Sequence, residues 1–149
     1  MINQIAVRAR GILRRQEHIL FCYNKKQDFY FLPGGTLEKD EHIIQCLQRE
    51  FLDECQLDIA VGTFVGCLEC HWQEDKNRYQ EFDMIFDVHI RQGAIPAQIE
   101  SLEPHVSFAF LPLRSVVDGF YRILPAAVVN FLCGDLPLPG YVFEDQLAT

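Results

Sequence analysis

Gly34-Gly35-Thr36-Leu37-Glu38-Lys39-Asp40-Glu41, followed by Arg49-Glu50-Phe51-Leu52-Asp53-Glu54, is the stretch on which the fold and chemistry of this chain turn. Pro33-Gly34-Gly35 stops a short strand, Phe29-Tyr30-Phe31-Leu32. Asp40 reads as an N-cap, and Ile44, Leu47, Phe51 and Cys55 form an apolar stripe at helical spacing, which predicts a helix over 41–55. On that helix Glu50, Asp53 and Glu54 are related by i, i+3 and i+4, so three carboxylates share one face. Like charges so placed repel by about a few tenths of a kcal/mol per pair. The arrangement is a solvated acidic face or, if a divalent cation sits there, a metal site. Oxygen-only ligands suit Mg²⁺, with Mn²⁺ as a substitute, better than zinc.

Outward from the helix, residues 4–13 and 17–24 read as strands joined by a turn at Arg14-Arg15-Gln16. Residues 59–71 and 80–91 read as two long strands joined by the polar turn Gln73–Asn77. Residues 92–104 form a loop. A strand over 106–111 follows, then short helices near 114–119 and 124–132. The tail from Pro137 to Thr149 carries two prolines and is expected to be irregular. Strands, one central helix, more strands and then helices imply a mixed α/β or α+β sheet covered by helices.

The chain has 149 residues, enough for a single domain with a layered core. No apolar run approaches the roughly 20 residues that span a bilayer, and the N-terminus lacks the regions of a signal peptide, so a cytoplasmic, membrane-free protein is expected. A net charge of −8 argues against a nucleic-acid partner. It also means that binding phosphates calls for a mediating metal. Cys67-x-x-Cys70 invites a zinc reading, but on a strand residues three apart face opposite ways, and no second Cys or His pair follows. The six cysteines are expected to be reduced core thiols. His18, His42, His71, His89 and His105 form no close ligand pair.

The pattern Gly35-x5-Glu41-x7-Arg49-Glu50-Phe51-x-Asp53-Glu54-x-Gln56-Leu57 resembles the Nudix box, G-x5-E-x7-R-E-U-x-E-E-x-G-U with U apolar. Gly35, Glu41, Arg49, Glu50 and Glu54 match at fixed spacing, a coincidence of order 10⁻⁶ at a given start, and Phe51 and Leu57 match the apolar positions. Asp53 stands where the family has Glu, one methylene shorter. Gln56 stands where it has Gly, which costs roughly 1–2 kcal/mol if the backbone there is left-handed. Glu69 and the run from Gln80 to Phe86 resemble the strand pair that follows the box, and Val106 to Leu113 the family's late strand.

The resemblance implies an α/β/α sandwich with a mixed sheet and the box as loop–helix–loop. It also implies a Mg²⁺-dependent hydrolase that cleaves the diphosphate of a nucleoside diphosphate linked to another group. Glu50, Asp53 and Glu54, with the Gly35 carbonyl, would hold one to three ions. Arg49 would position a box carboxylate, Glu41 or Glu50, while Gly34 and Gly35 let the substrate approach the backbone. For the general base the order is Glu54, then Glu81, then Glu103. Trp72, Tyr79, Phe64 and Phe31 are aromatics able to stack on a base. The partner is a small nucleotide, from triphosphates to nucleotide sugars or ADP-ribose, and a homodimer stays open. The alternative function, motivated by Asp53 and Gln56, is a nucleotide sensor of weak turnover on the same fold.

Overall fold

β1 (Gln4–Arg15) alternates its side chains between two cores, as a strand covered on both faces must. Ala9 and Leu13 enter one apolar cluster and Ile12 enters the other. The computed structural model describes residues 1–147. After β1 come β2 (His18–Asn24), β3 (Phe29–Phe31), β4 (Gly34–Thr36) and the helix α1 (Ile43–Cys55). The long hairpin of β5 (Ile59–Glu74) and β6 (Asn77–Ile90) follows, then β7 (Val106–Pro112), α2 (Leu113–Val117), a 3₁₀ turn (Ala126–Phe131) and β8 (Gly140–Asp145).

The strands run β3-β2-β1-β6-β5-β8, with β4 added against β1 and β7 against β2. β1 and β6 are parallel, β5 and β6 antiparallel, and β5 and β8 parallel, so the sheet is mixed as expected. α1 covers one face through Cys46, Leu47, Phe51 and Cys55. α2 and the 3₁₀ turn cover the other through Val116, Val128 and Phe131. The result is the α/β/α sandwich expected from the sequence. Leu47 and Phe51 are wholly buried, each contributing about 1.5–3 kcal/mol of burial energy to the seating of α1. Among the described residues, no helix is long and apolar enough to cross a membrane.

Several local expectations need correction. The helix begins at Ile43, and its N-cap is His42, whose backbone N–H donates to Gln45 Oε1 at 3.2 Å. Asp40 is not the cap; it sits at φ 65° in the turn before it. Ile44 is 40% exposed, and Cys46 takes the buried place in the stripe. The long hairpin closes at Asp75-Lys76, so β6 starts at Asn77 and the polar segment is a tight turn within a longer ladder. The segment near 124–132 is 3₁₀ rather than α-helical. The tail is not irregular, since β8 pairs with β5 from Gly66↔Gly140 to His71↔Asp145 despite the prolines just before it. Ala148 and Thr149, at the end of that tail, lie outside the described residues.

Candidate active site

The loop before α1 is shaped by two glycines, each for its own steric reason. Gly34 pairs with Arg10 at φ 145°, and a methyl group there would run into the Ala9 carbonyl. Gly35 has no room because the Glu50 carboxyl lies directly over it. Only a residue without Cβ lets the two backbones and that carboxylate meet. Arg49 then ties the arrangement together. Its Nε and Nη2 donate to the two oxygens of Glu41, each at 2.9 Å, and its Nη1 donates to Glu50 Oε1 at 2.7 Å. A further bond from Nη2 to the Thr36 carbonyl, 3.2 Å long, anchors it to β4. This forked pairing, with the N–H of Glu38 donating to Glu41, holds the Glu41 carboxyl down at about 2. Arg49 thus pairs with both Glu41 and Glu50, the two box carboxylates. Engaging Glu41 also explains the late helix start: its carboxyl is turned to Arg49 and the loop, and the chain becomes helical only after His42.

Beyond Glu50, the acidic face of α1 borders a cavity of about 290 Å³. Glu50, Asp53 and Glu54 line it from the helix, and Glu103 lines it from the loop after β6, with Phe31 and Phe108 as apolar walls. Burial, followed by the neighbouring Glu50 charge, raises the Glu54 carboxyl from an ordinary value near 4.5 to about 8. Four carboxylates thus border one space, and a cation placed among them would relieve the crowding that raises Glu54. Among the described residues no three His, Cys, Asp or Glu side chains form a ready-made ion shell. Glu50 is instead turned onto Arg49, and the Gly35 carbonyl accepts the Cys46 thiol at 3.6 Å. The donor set still fits a hard divalent cation: it offers oxygens only, in excess, with one of them driven to keep its proton.

A second cavity, about 430 Å³, opens on the sheet face opposite α1 and meets the first at Phe31. Arg8 and Arg10 project into it from β1, Glu81 from β6, and Phe29 and Trp72 form its walls. Arg10, Glu81 and Asp83 are the buried charged side chains among the described residues. Arg8 Nε lies 3.1 Å from Glu81 Oε1, and Trp72 Nε1 donates to the same oxygen at 3.1 Å. Arg10 donates to the Leu32 carbonyl at 3.2 Å and stands 3.7 Å from Asp83. Burial pushes the Asp83 carboxyl well above its usual range.

Glu81, considered above as a base, is therefore engaged by Arg8 and Trp72 and does not border the carboxylate cavity. Glu103 does. Of the aromatics, Phe31 and Trp72 reach the second cavity, and Tyr79 backs Trp72 in a parallel stack at 4.3 Å. Phe64 instead packs on Phe86 at 5.2 Å. Glu69 faces away and accepts from Tyr141 and Gln80. All six cysteines are free thiols. Burial raises Cys46 to about 11 and Cys55 to about 12. Arg8, Arg10 and Phe29 were not singled out from the sequence. The available signal was the Arg-x-Arg spacing in a buried strand, matched by Glu81-x-Asp83 on its partner.

Gln56 closes α1 at φ 54°, ψ 33°, the left-handed conformation that its glycine counterpart would adopt without strain. Its side-chain amide donates to the carbonyls of Asp53 and Glu54 at 3.4 and 3.3 Å, long bonds in an exposed place that recover little. Gln56→Gly should therefore raise stability by up to about 1 kcal/mol, a gain of roughly 2–4 °C in melting temperature. Thermal unfolding measures it, and a lower melting temperature would show that the two amide bonds outweigh the strain.

The sequence matches the NUDIX domain family over residues 3–126. No curated protein matches it. Among solved structures, a MutT protein from Methanosarcina mazei Go1 superimposes with a TM-score of 0.69 at 17% identity, covering 89% of this chain and 93% of that one. The Escherichia coli ORF135 protein gives 0.60 at 19% identity, over 87% and 86%. An ADP-ribose pyrophosphatase from Streptococcus suis gives 0.56 at 16% identity, over 95% and 98%. At such identities these neighbours speak for the fold alone.

Proposed function

The chain belongs to the Nudix family, and from that premise we propose that it hydrolyses the diphosphate linkage of a nucleoside diphosphate joined to a further group, with Mg²⁺ as its cation. The observation that carries this is the pair of cavities meeting at Phe31, one lined by four carboxylates and the other by arginines and aromatic rings. The first suits a diphosphate through a bound cation. The second suits a nucleoside, whose planar base matches aromatic walls with a few fixed polar groups.

Glu50, Asp53 and Glu54 would hold the ion, with the Gly35 carbonyl beside them. A divalent cation supplies neutralisation of the phosphate oxygens and acidifies water. Arg49 keeps Glu50 aimed across Gly35 and leaves Glu41 as its own counter-ion. Glu54 takes the proton of the attacking water, and Glu103, on the opposite wall, is the second candidate for that task. Phe31 and Phe108 give the acidic cavity two apolar walls. An ADP-ribose pyrophosphatase shares the fold, which makes ADP-ribose one member of the class to try. A cytoplasmic site of action belongs to the same proposal.

A panel of nucleoside triphosphates, nucleotide sugars, ADP-ribose and dinucleoside polyphosphates, incubated with Mg²⁺ or Mn²⁺, tests it. We expect release of a mononucleotide from at least one class, abolition by excess chelator, and recovery on adding Mg²⁺. Turnover that survives chelation would sink the metal assignment. Nucleotide binding without product from any substrate would point to a sensor.

A further inference from the structure

The inner part of the second cavity is supplied with hydrogen-bond donors, and its amide acceptors, on Gln27, Gln73 and Gln146, stand at the exposed edge. Glu81 is its one buried carboxylate wall, and its Oε1 is already approached by Trp72 Nε1 and Arg8 Nε, both at 3.1 Å. Asp83 lies against the same carboxyl from below. Among the described residues Arg8 makes no hydrogen bond through its two terminal nitrogens. Its Nε is buried and out of line for one despite its closeness to Glu81. The guanidinium carbon stands 5.9 Å from the centre of the Trp72 indole, which Tyr79 backs at 4.3 Å, so the side chain is braced rather than loose. On the rim, Asn24 Oδ1 accepts from the N–H groups of Lys26 and Gln27, which turns its amide nitrogen into a further donor. Glu74 is the carboxylate left at the exposed edge.

We propose that Arg8 is the specificity-determining residue for the base of the substrate, taking 6-keto purines and 4-keto pyrimidines and rejecting their 6-amino and 4-amino counterparts. This rests on the hydrolase reading above and adds the substrate's base class to it. A braced fork with two unspent terminal NH₂ groups pairs with an edge of acceptors: O6 and N7 of a 6-keto purine, or O4 of a uracil. An exocyclic amino group in the same place sets donor against donor. Both are then cut off from water without a partner, which costs more than a merely missing bond. The carboxylates that could have received an amino group are spoken for. Glu81 Oε1 already accepts from Trp72 and lies in an ion pair with Arg8, and Asp83, beside it, is 1% exposed.

The test uses the whole chain with Mg²⁺ and non-hydrolysable α,β-methylene diphosphates, compared in pairs that differ only at the keto or amino group: inosine against adenosine, and uridine against cytidine. Calorimetric Kd values should favour the keto member by about ten- to hundredfold, and Arg8→Met should bring both ratios to within about threefold of unity. Because Arg8→Met leaves Glu81 without its cation and could unsettle the fold, Arg8→Lys is measured beside it. Lysine keeps the charge next to Glu81 but loses the fork, so it should retain the melting temperature and still lose the discrimination. A purely structural arginine would change the affinity of all four ligands together and leave the ratios alone. Equal affinity for keto and amino members in the unmodified protein overturns the proposal, as do ratios that persist in both variants. Neither result touches the hydrolase reading, which fails only if no nucleoside diphosphate derivative is cleaved in Mg²⁺.

Discussion

Replacing Glu54 with glutamine should lower kcat at least about a hundredfold, the loss expected for an acid–base or metal-holding carboxylate. The same change should make the metal-free protein more stable at alkaline pH. Burial and the adjacent Glu50 raise the folded Glu54 carboxyl to about 8, against about 4.5 when the chain is open. Between those values the folded state holds a proton that the unfolded state has released. Stability of the metal-free protein therefore falls as pH rises through that window and levels off above it. Glutamine cannot ionise, so Glu54→Gln should flatten the profile. The variant should melt above the parent at pH 8.5, with the gap closing toward pH 4. Saturating Mg²⁺ should shrink the difference at high pH, since the cation pairs with the carboxylates that otherwise repel. Melting curves across pH, with and without chelator, and steady-state rates give both halves. A variant with parental turnover would remove Glu54 from the chemistry. One with parental turnover and an unchanged pH profile would also mean that the carboxyl is not crowded as its position beside Glu50 indicates.

The parts of this site that were legible in the sequence are those fixed by local geometry. Helical spacing alone brings Glu50, Asp53 and Glu54 to one face, and the run from Gly35 to Leu57 sets the order of loop, helix and loop. For Gln56 the strain was conditional on a left-handed backbone, and its φ of 54° meets that condition. What escaped depends on pairing between distant segments. β8 owes its strand to a parallel register with β5 that its own prolines do not advertise. Arg8 and Arg10 look like polar interruptions of an apolar strand until β6 is laid parallel to β1, opposing Arg8 to Asp83 and Ala6 to Glu81. Only then do Arg8, Arg10 and Glu81 come together on one wall of a cavity, with Asp83 buried against Arg10. The start of α1 failed for a third reason. Glu41 could belong to a helix by propensity, but its bidentate bond to Arg49 is worth more than one further helical residue, and the cap moves to His42.

Gly35→Ala should cut kcat/KM by about a hundredfold or more while barely changing the melting temperature. The added methyl would occupy the space now filled by the Glu50 carboxyl, with Oε1 and Oε2 at 2.5 and 2.6 Å from it. The obstacle is the far end of a flexible side chain, so the fold can yield by swinging Glu50 aside, at small cost in stability. Swinging it breaks the 2.7 Å bond from Arg49 and withdraws one carboxylate from the acidic cavity. Backbone strain is not the cause, since Gly35, unlike Gly34, has no positive φ. A double-mutant cycle separates this route from a general disturbance of the loop. If the methyl acts through Glu50, then in a Glu50→Ala background, where the space is vacant, Gly35→Ala should cost little further activity, and the two losses should be far from additive. Full additivity would place the effect in the path of the loop backbone instead. A large drop in melting temperature on Gly35→Ala alone would mean that Glu50 is held too firmly to move, and that the loop gives way before the carboxylate does.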